Sequence, residues 1–202
     1  MPSETDVINV ALRMIGGTAV SVRTDGSTNG NIVDDMYDDI RDNLVRSHNW
    51  NFATKRVELA ELSTAPAFEF DNSYALPSDW IRTVTVHNND GGFGTLNYRM
   101  ELVAGVRAIV CSAEQLWMTY VAKVSDPNIM TSDFRLVLST SLAAALALPV
   151  AASNTMKEQF SKDADTLLAR AKAADAMGAF PQQRPAGSWR DTRGGYRTVW
   201  PG

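Results

Sequence analysis

The side chains of this chain that could do chemistry are few and scattered. There are two histidines, His48 and His87, and one cysteine, Cys111. A transition-metal centre needs three or four converging nitrogen or thiolate ligands, and no HxH, HExxH or CxxC spacing supplies them. His48 reads instead as a cap on the C-terminal end of a helix, where its proton donors suit the exposed carbonyls. Cys111 follows Ile109 and Val110 and reads as a small buried hydrophobe, and a lone cysteine excludes an internal disulfide. Asp34, Asp35, Asp38, Asp39 and Asp42 could offer oxygen ligands to Mg²⁺ or Ca²⁺. They lack the DxDxDG loop with a terminal glutamate, so the expectation is a solvated helix face or a face for basic side chains of a neighbouring subunit. GxSxG, GxxxxGK[ST] and GxGxxG are absent. Gly91-Gly92-Phe93-Gly94 is glycine-rich but lies in a hairpin tip with no helix after it to hold phosphate. A pair of carboxylates for glycoside hydrolysis is defined by separation in space, which leaves Glu58, Glu61 and Glu69 open as candidates. No cofactor is expected, and no catalytic constellation is visible.

The elements that would position these residues are readable from periodicity. A first helix begins near Ser3 or Thr5, puts Val7, Ile8, Ala11, Leu12 and Ile15 on one face, and stops at Gly16-Gly17. After a Thr, Ser, Gly and Asn loop from Thr24 to Gly30, a second, acidic helix carries Ile32, Val33, Met36, Tyr37, Ile40 and Leu44 at helical spacing. It breaks at Ser47-His48-Asn49-Trp50-Asn51-Phe52, with Trp50 and Phe52 as a wedge before a strand through Val57 and Leu59. Period-two stretches follow: Trp80 to His87, then Tyr98 to Val103 and Val106 to Val110 paired around Ala104-Gly105, then Leu116 to Val124. A third helix starts at Thr131-Ser132-Asp133 and is apolar nearly all round, which predicts a buried central helix. The fourth opens with a capping box at Thr155-Met156-Lys157-Glu158 and carries a stripe of Met156, Phe160, Ala164, Leu167, Leu168 and Ala171. The predicted fold class is α+β: a four-helix bundle (1–49 and 126–180) split by an antiparallel β insertion (50–125), with an extended C-terminal arm (181–202).

At 202 residues, 45% hydrophobic and 21% charged, the chain can bury one substantial core. Its start lacks a basic n-region and an apolar h-region, and the run from Leu142 to Ala152 contains Pro149 and is too short to span a bilayer. A soluble intracellular product with no membrane partner is therefore expected. The overall charge of −4 is uneven: residues 181–202 hold four arginines against one aspartate, +3, leaving −7 on the rest. An acidic body argues against a dedicated nucleic-acid binder. In the tail, Trp189, Tyr196 and Trp200 alternate with Arg190, Arg193 and Arg197, residue types that anchor interfaces. Three readings are open: a frayed terminus, an arm that orders on a partner, and a single-strand stacking segment. The second is preferred, and such an arm could reach on the order of 70 Å.

Several stretches together resemble a known family. Ala11-Leu12 with Ile15-Gly16, then Tyr37-Asp38-Asp39-Ile40-Arg41-Asp42-Asn43-Leu44, then His48-Asn49-Trp50-Asn51-Phe52-Ala53 are similar to the head-to-tail adaptors of short-tailed bacteriophages, the tail tubular protein A or tail accessory factor type. Tyr74-Ala75-Leu76-Pro77-Ser78-Asp79-Trp80-Ile81-Arg82 resembles the family's Y-x-LP-x-D-x-x-R element. Tyr120-Val121, Asp126-Pro127, Phe134 and Leu142-Ala143-Ala144-Ala145-Leu146-Ala147 fit the run into a central helix. The resemblance covers about residues 5 to 175; the Cys111 to Met118 stretch departs from it, and the arm matches no motif. It implies a non-enzymatic virion protein of the neck, assembled in a bacterial cytoplasm. Its copies, typically twelve, would form a ring under the portal protein that extends the DNA channel and meets a tail nozzle. Genomic DNA would pass without sequence-specific binding, as an acidic conduit suits. Portal binding is expected of Trp189, Arg190, Arg193, Tyr196, Arg197 and Trp200. Inter-subunit contact is expected between Asp34, Asp35, Asp38, Asp39 and Asp42 on one helix and Lys157 and Arg170 on another. The competing readings are a virion-associated cell-wall-degrading enzyme and a nucleic-acid-binding module using the basic aromatic tail.

Overall fold

Helical and extended segments alternate in blocks along the chain, and the computed structural model describes residues 1–88 and 96–178. Two helices come first, α1 (Glu4–Met14) and α2 (Thr28–Arg46). Six strands follow: β1 (Thr54–Glu58), β2 (Asn72–Ala75), β3 (Trp80–His87), β4 (Arg99–Val103), β5 (Val106–Cys111) and β6 (Trp117–Ala122). Two helices close the described chain, α3 (Ser132–Leu146) and α4 (Asn154–Met177). The protein is thus mixed α+β, with four α-helices and two small antiparallel sheets among the described residues.

The helix starts follow from their caps. Ser3 and Asp6 form a reciprocal capping box on α1, and Thr131 accepts from the Phe134 amide to start α3. Helix α2 starts earlier than its apolar stripe, at Thr28 behind the cap Ser27. The cap of α4 is Ser153, which accepts from the Met156 amide, and not the box predicted at Thr155. Helix α3 is the hub, packing against α1, α2 and α4. Its Phe134, Leu138 and Leu142 are fully buried with Ile8 and Leu12 of α1 and Tyr37 and Val45 of α2. Burial of the stretch predicted as apolar all round is not uniform, since Leu136 within α3 and Leu148 just after it are exposed. Helix α4 is the lightest partner. Only Ala164 and Ala171 of its stripe are buried, Phe160, Leu167 and Leu168 are half-buried, and Met156 faces out.

The strands form one sheet in the order β1-β6-β3 and another in the order β2-β5-β4. Alternation sorts β6 between two cores: Val121 joins the helical core, whereas Met118, Tyr120 and Ala122 face the second sheet with Tyr74, Ile109, Leu116 and Cys111. Phe70 and Leu62 cover the far side of the second sheet over Val103, Ala108 and Val110. The strand at Trp80 to His87 runs as predicted but is bulged against β6 at two places, which blurs its alternation. The strand β2, just before Leu76-Pro77, was not expected from alternation; it forms by pairing with β5. Cys111 is fully buried, and that burial raises its thiol pKa, in keeping with a packing role.

Candidate functional site

Helix α2 carries Asp34, Asp35, Asp38, Asp39 and Asp42 along one acidic face, and most of it is paired within the subunit. The loop before α2 is fixed first. The Asn9 amide donates to the Val20 carbonyl (2.9 Å) and accepts from the Val20 amide (2.8 Å), clamping the loop to α1. Gly30 lets the loop close on the first turn of α2, because a Cβ there would lie 2.6 Å from Asp25 Oδ1 and 3.0 Å from the Arg23 carbonyl. Arg23 is thereby delivered over the α2 face. Its guanidinium donates to Glu4 (2.7 Å), to Asp34, and to both oxygens of Asp38 (3.2 and 3.1 Å). It also lies over the Tyr37 ring, 5.1 Å from the centroid, and Arg41 approaches the same ring at 5.8 Å.

Arg41 is 2% exposed, an unusual burial for arginine. Its charge is met by Asp38 at 2.7 Å and Asp42 at 2.8 Å, and Asp42 in turn meets Lys123 at 3.3 Å. Nη2 stands close to Asp42 but finds no aligned hydrogen-bond acceptor among the described residues, and neither does the buried Tyr37 hydroxyl. Burial pushes the Tyr37 pKa up to about 12. The hydrogen bonds from Arg23 hold Asp38 below the usual carboxylate range, and Asp38 foremost raises the Arg23 pKa. This chain of charges ties the start of α1, the loop, α2 and the end of β6 together. It takes up Asp34, Asp38 and Asp42. Asp35 and Asp39 are exposed and pair with no described residue, and the same holds for Lys157 and Arg170 on α4. The sequence assigns no role to Arg23, and Arg41 enters it only within the run from Tyr37 to Leu44; the signal for Arg41 is its place on the apolar stripe, in line with Tyr37 and Val45.

The joint after α2 is closed by Trp50. Its side chain is fully buried and donates from Nε1 to the Leu44 carbonyl (3.0 Å), which also accepts from the Ser47 hydroxyl (2.8 Å). The ring meets Phe134 edge-on at 5.0 Å and stacks with Phe52 at 5.8 Å. The helix-capping role expected of His48 therefore belongs to Trp50 and Ser47, and His48 faces Asp175 of α4 at 3.4 Å. Asp175 also accepts from the Asn51 amide, and the Asn51 side chain donates to the Asp175 carbonyl at 2.7 Å. The end of α4 is thus fastened to the α2–β1 joint. A second fastening is Asp79, which accepts from Lys55 (2.7 Å) and Tyr120 (3.0 Å). Burial alone would raise its pKa, but these two donors outweigh burial and lower it. Arg82 donates to Asn49.

Trp189, Arg190, Arg193, Tyr196, Arg197 and Trp200 lie outside the described residues, as does Gly91-Gly92-Phe93-Gly94. Of the residues considered for hydrolysis, Glu69 is ion-paired to Arg99 at 3.2 Å, Glu61 forms a backbone β-bridge with Tyr74, and Glu58 ends β1 opposite Trp117. Among the described residues no three metal-binding side chains gather into a site, and no helix is long and apolar enough to cross a membrane. No protein-family model matches the chain, and no curated protein matches it significantly.

Proposed function

We propose that the chain is a structural virion subunit, a head-to-tail adaptor that forms a ring under the portal of a short-tailed phage, extends its DNA channel and docks the tail or nozzle. In this reading the helices of 1–49 and 126–180 make a four-helix bundle interrupted by the β region 50–125. Residues 181–202 are the arm that grips the portal, with Trp189, Tyr196 and Trp200 as anchors among arginines. One observation supports it most: the separate stretches that carry the resemblance meet at a single joint. Trp50 caps α2, Arg82 of the Y-x-LP-x-D-x-x-R element donates to Asn49, and Phe134 of α3 packs on Trp50. The end of helix α4 is fastened to that joint too, through Asn51 and Asp175. Ring closure needs two different faces of the subunit, and exposed Asp35 and Asp39 on α2 with Lys157 and Arg170 on α4 are the charges we assign to them.

Electron microscopy of the purified chain mixed with portal rings tests the proposal. The expected image is a second ring, of about twelve copies as in the family it resembles, seated on one end of the portal. Deletion of residues 181–202 should abolish attachment while circular dichroism still reports a folded helical protein. Portals that stay bare with the full chain would defeat the reading, and normal decoration by the truncated chain would defeat the role of the arm.

A further inference from the structure

The second sheet ends in an edge that the described residues leave open. β4 pairs with β5 alone, whereas the opposite edge strand, β2, is bridged by Glu61. The β4–β5 hairpin turns through Ala104 and Gly105, both with positive φ, as a two-residue mirror-image turn requires. The pair flanking such a turn, Val103 and Val106, is hydrogen-bonded, so the next pair, Leu102 and Arg107, is not. In agreement, the Arg107 carbonyl points away from β4 and accepts from the amide of Leu76, the residue after β2. The backbone N–H and C=O of Leu102 and Met100 therefore face outward. Their side chains are also uncovered: Leu102 is 70% exposed, Met100 43% and Tyr98 37%. They share one face of the strand, beside a groove of about 500 Å³ floored by Leu76 and Trp80. On the other face Arg99 and Glu101 alternate with them. β4 contains no proline and pairs with β5 without a bulge, and its charged side chains are Arg99 and Glu101, of opposite sign.

We infer that β4 is the contact by which two copies of this chain pair, antiparallel and centred on Met100. That register sets Met100 against Met100 of the second copy and Tyr98 against its Leu102, so apolar side chains meet on one face. On the other face Arg99 meets Glu101 of the second copy, twice by symmetry. The alternative centred on Glu101 would set two glutamates directly opposite, which is unfavourable. Glu101 has no partner among the described residues. Arg99 is more than half exposed beside Glu69, with donors to spare. The two three-stranded sheets would join into one of six strands. The contact is two-fold and closes on itself, so it is separate from the ring reading and does not rest on it.

Sedimentation velocity of the full chain over a range of concentrations tests the inference, since it separates a dimer from a ring by mass. The wild type should show a monomer–dimer equilibrium. Glu101→Arg and Arg99→Glu should each raise the dimer dissociation constant at least about tenfold, because both ion pairs become repulsive. Mixing the two variants restores opposite charges at both positions and should give a heterodimer, and the double swap R99E/E101R should dimerise as the wild type does. Rescue by mixing rules out misfolding as the cause of the single effects. A wild type that stays monomeric at high concentration would overturn the inference, as would single variants that pair unchanged or folded variants that fail to rescue each other.

Discussion

The acidic face of α2 and the edge of β4 are opposite kinds of surface. On α2 charge is dense, but an inserted arginine and a buried one pair most of it within the subunit, and Asp35 and Asp39 remain. On β4 the two charges, Arg99 and Glu101, balance in sign, yet outward backbone groups and Glu101 lack partners among the described residues. The difference teaches that accumulated charge of one sign is a poor guide to where a partner binds. What matters is which groups the fold has already satisfied, because an exposed pair contributes little and an unmet backbone edge is a template. If this contrast is right, substitutions on the α2 side should cost folding stability, and those on β4 should change association and leave folding nearly untouched.

The largest effect should come from the α2 joint. Trp50→Ala removes a fully buried ring and the donor that caps Leu44, and should destabilise the monomer by about 3–5 kcal/mol in chemical denaturation. A cost near zero would mean that the joint is not part of the core. Arg41→Ala should follow at about 2–3 kcal/mol, below the full cost of breaking a buried pair because Asp38 and Asp42 can take up water. Arg41→Met keeps an apolar stem in the buried site and should recover part of that loss. If Arg41→Ala were as mild as a change at Glu101, the contrast between the two surfaces would fail.

A smaller effect is set by pH. Hydrogen bonds from Arg23 depress the Asp38 pKa below the ordinary value of 3.8, so the folded state binds fewer protons there than the unfolded chain. The contribution is complete above the unfolded value and is lost as pH falls through the lower folded one. Thermal melts should therefore show wild type losing stability below about pH 4 more steeply than Asp38→Asn, which has no such group to protonate. Parallel curves for the two proteins would mean that the Arg23 network is weak in solution.

Much of the scaffold was legible because local chemistry decided it. Ser3 with Asp6 starts α1, Thr131 starts α3, and the stripe from Val7 to Ile15 is buried as its spacing requires. Trp80 to His87 and the hairpin around Ala104-Gly105 were readable from β-branched alternation and a two-residue gap. The partners of the aspartates were hidden, because Arg23 lies in a Gly- and Ser-rich loop and meets α2 only through the Asn9 clamp. The same limit applies to His48, whose partner Asp175 is distant in sequence. Alternation of Tyr98, Met100 and Leu102 reports that they share a face, but whether that face is covered depends on how far the other sheet extends. At β4 it extends too short a way, and no local pattern encodes that.

The smallest effect bears on the hairpin that presents the open edge. Ala104 is held at φ +50, a left-handed conformation that costs an L-residue roughly 1–2 kcal/mol. Gly105, at +81, pays no such penalty. Ala104→Gly relieves the strain but lets the unfolded chain sample more conformations, which offsets part of the gain. The expected net result is a stabilisation of up to about 1 kcal/mol. Because the turn sets the register of β4 on β5, the same variant should sharpen the edge without altering its side chains, so monomer stability should rise while the dimer dissociation constant stays within about twofold. Destabilisation on Ala104→Gly would mean that the turn is not of the mirror-image type. The outward direction of Met100 and Leu102, which follows from that turn, would then lose its basis.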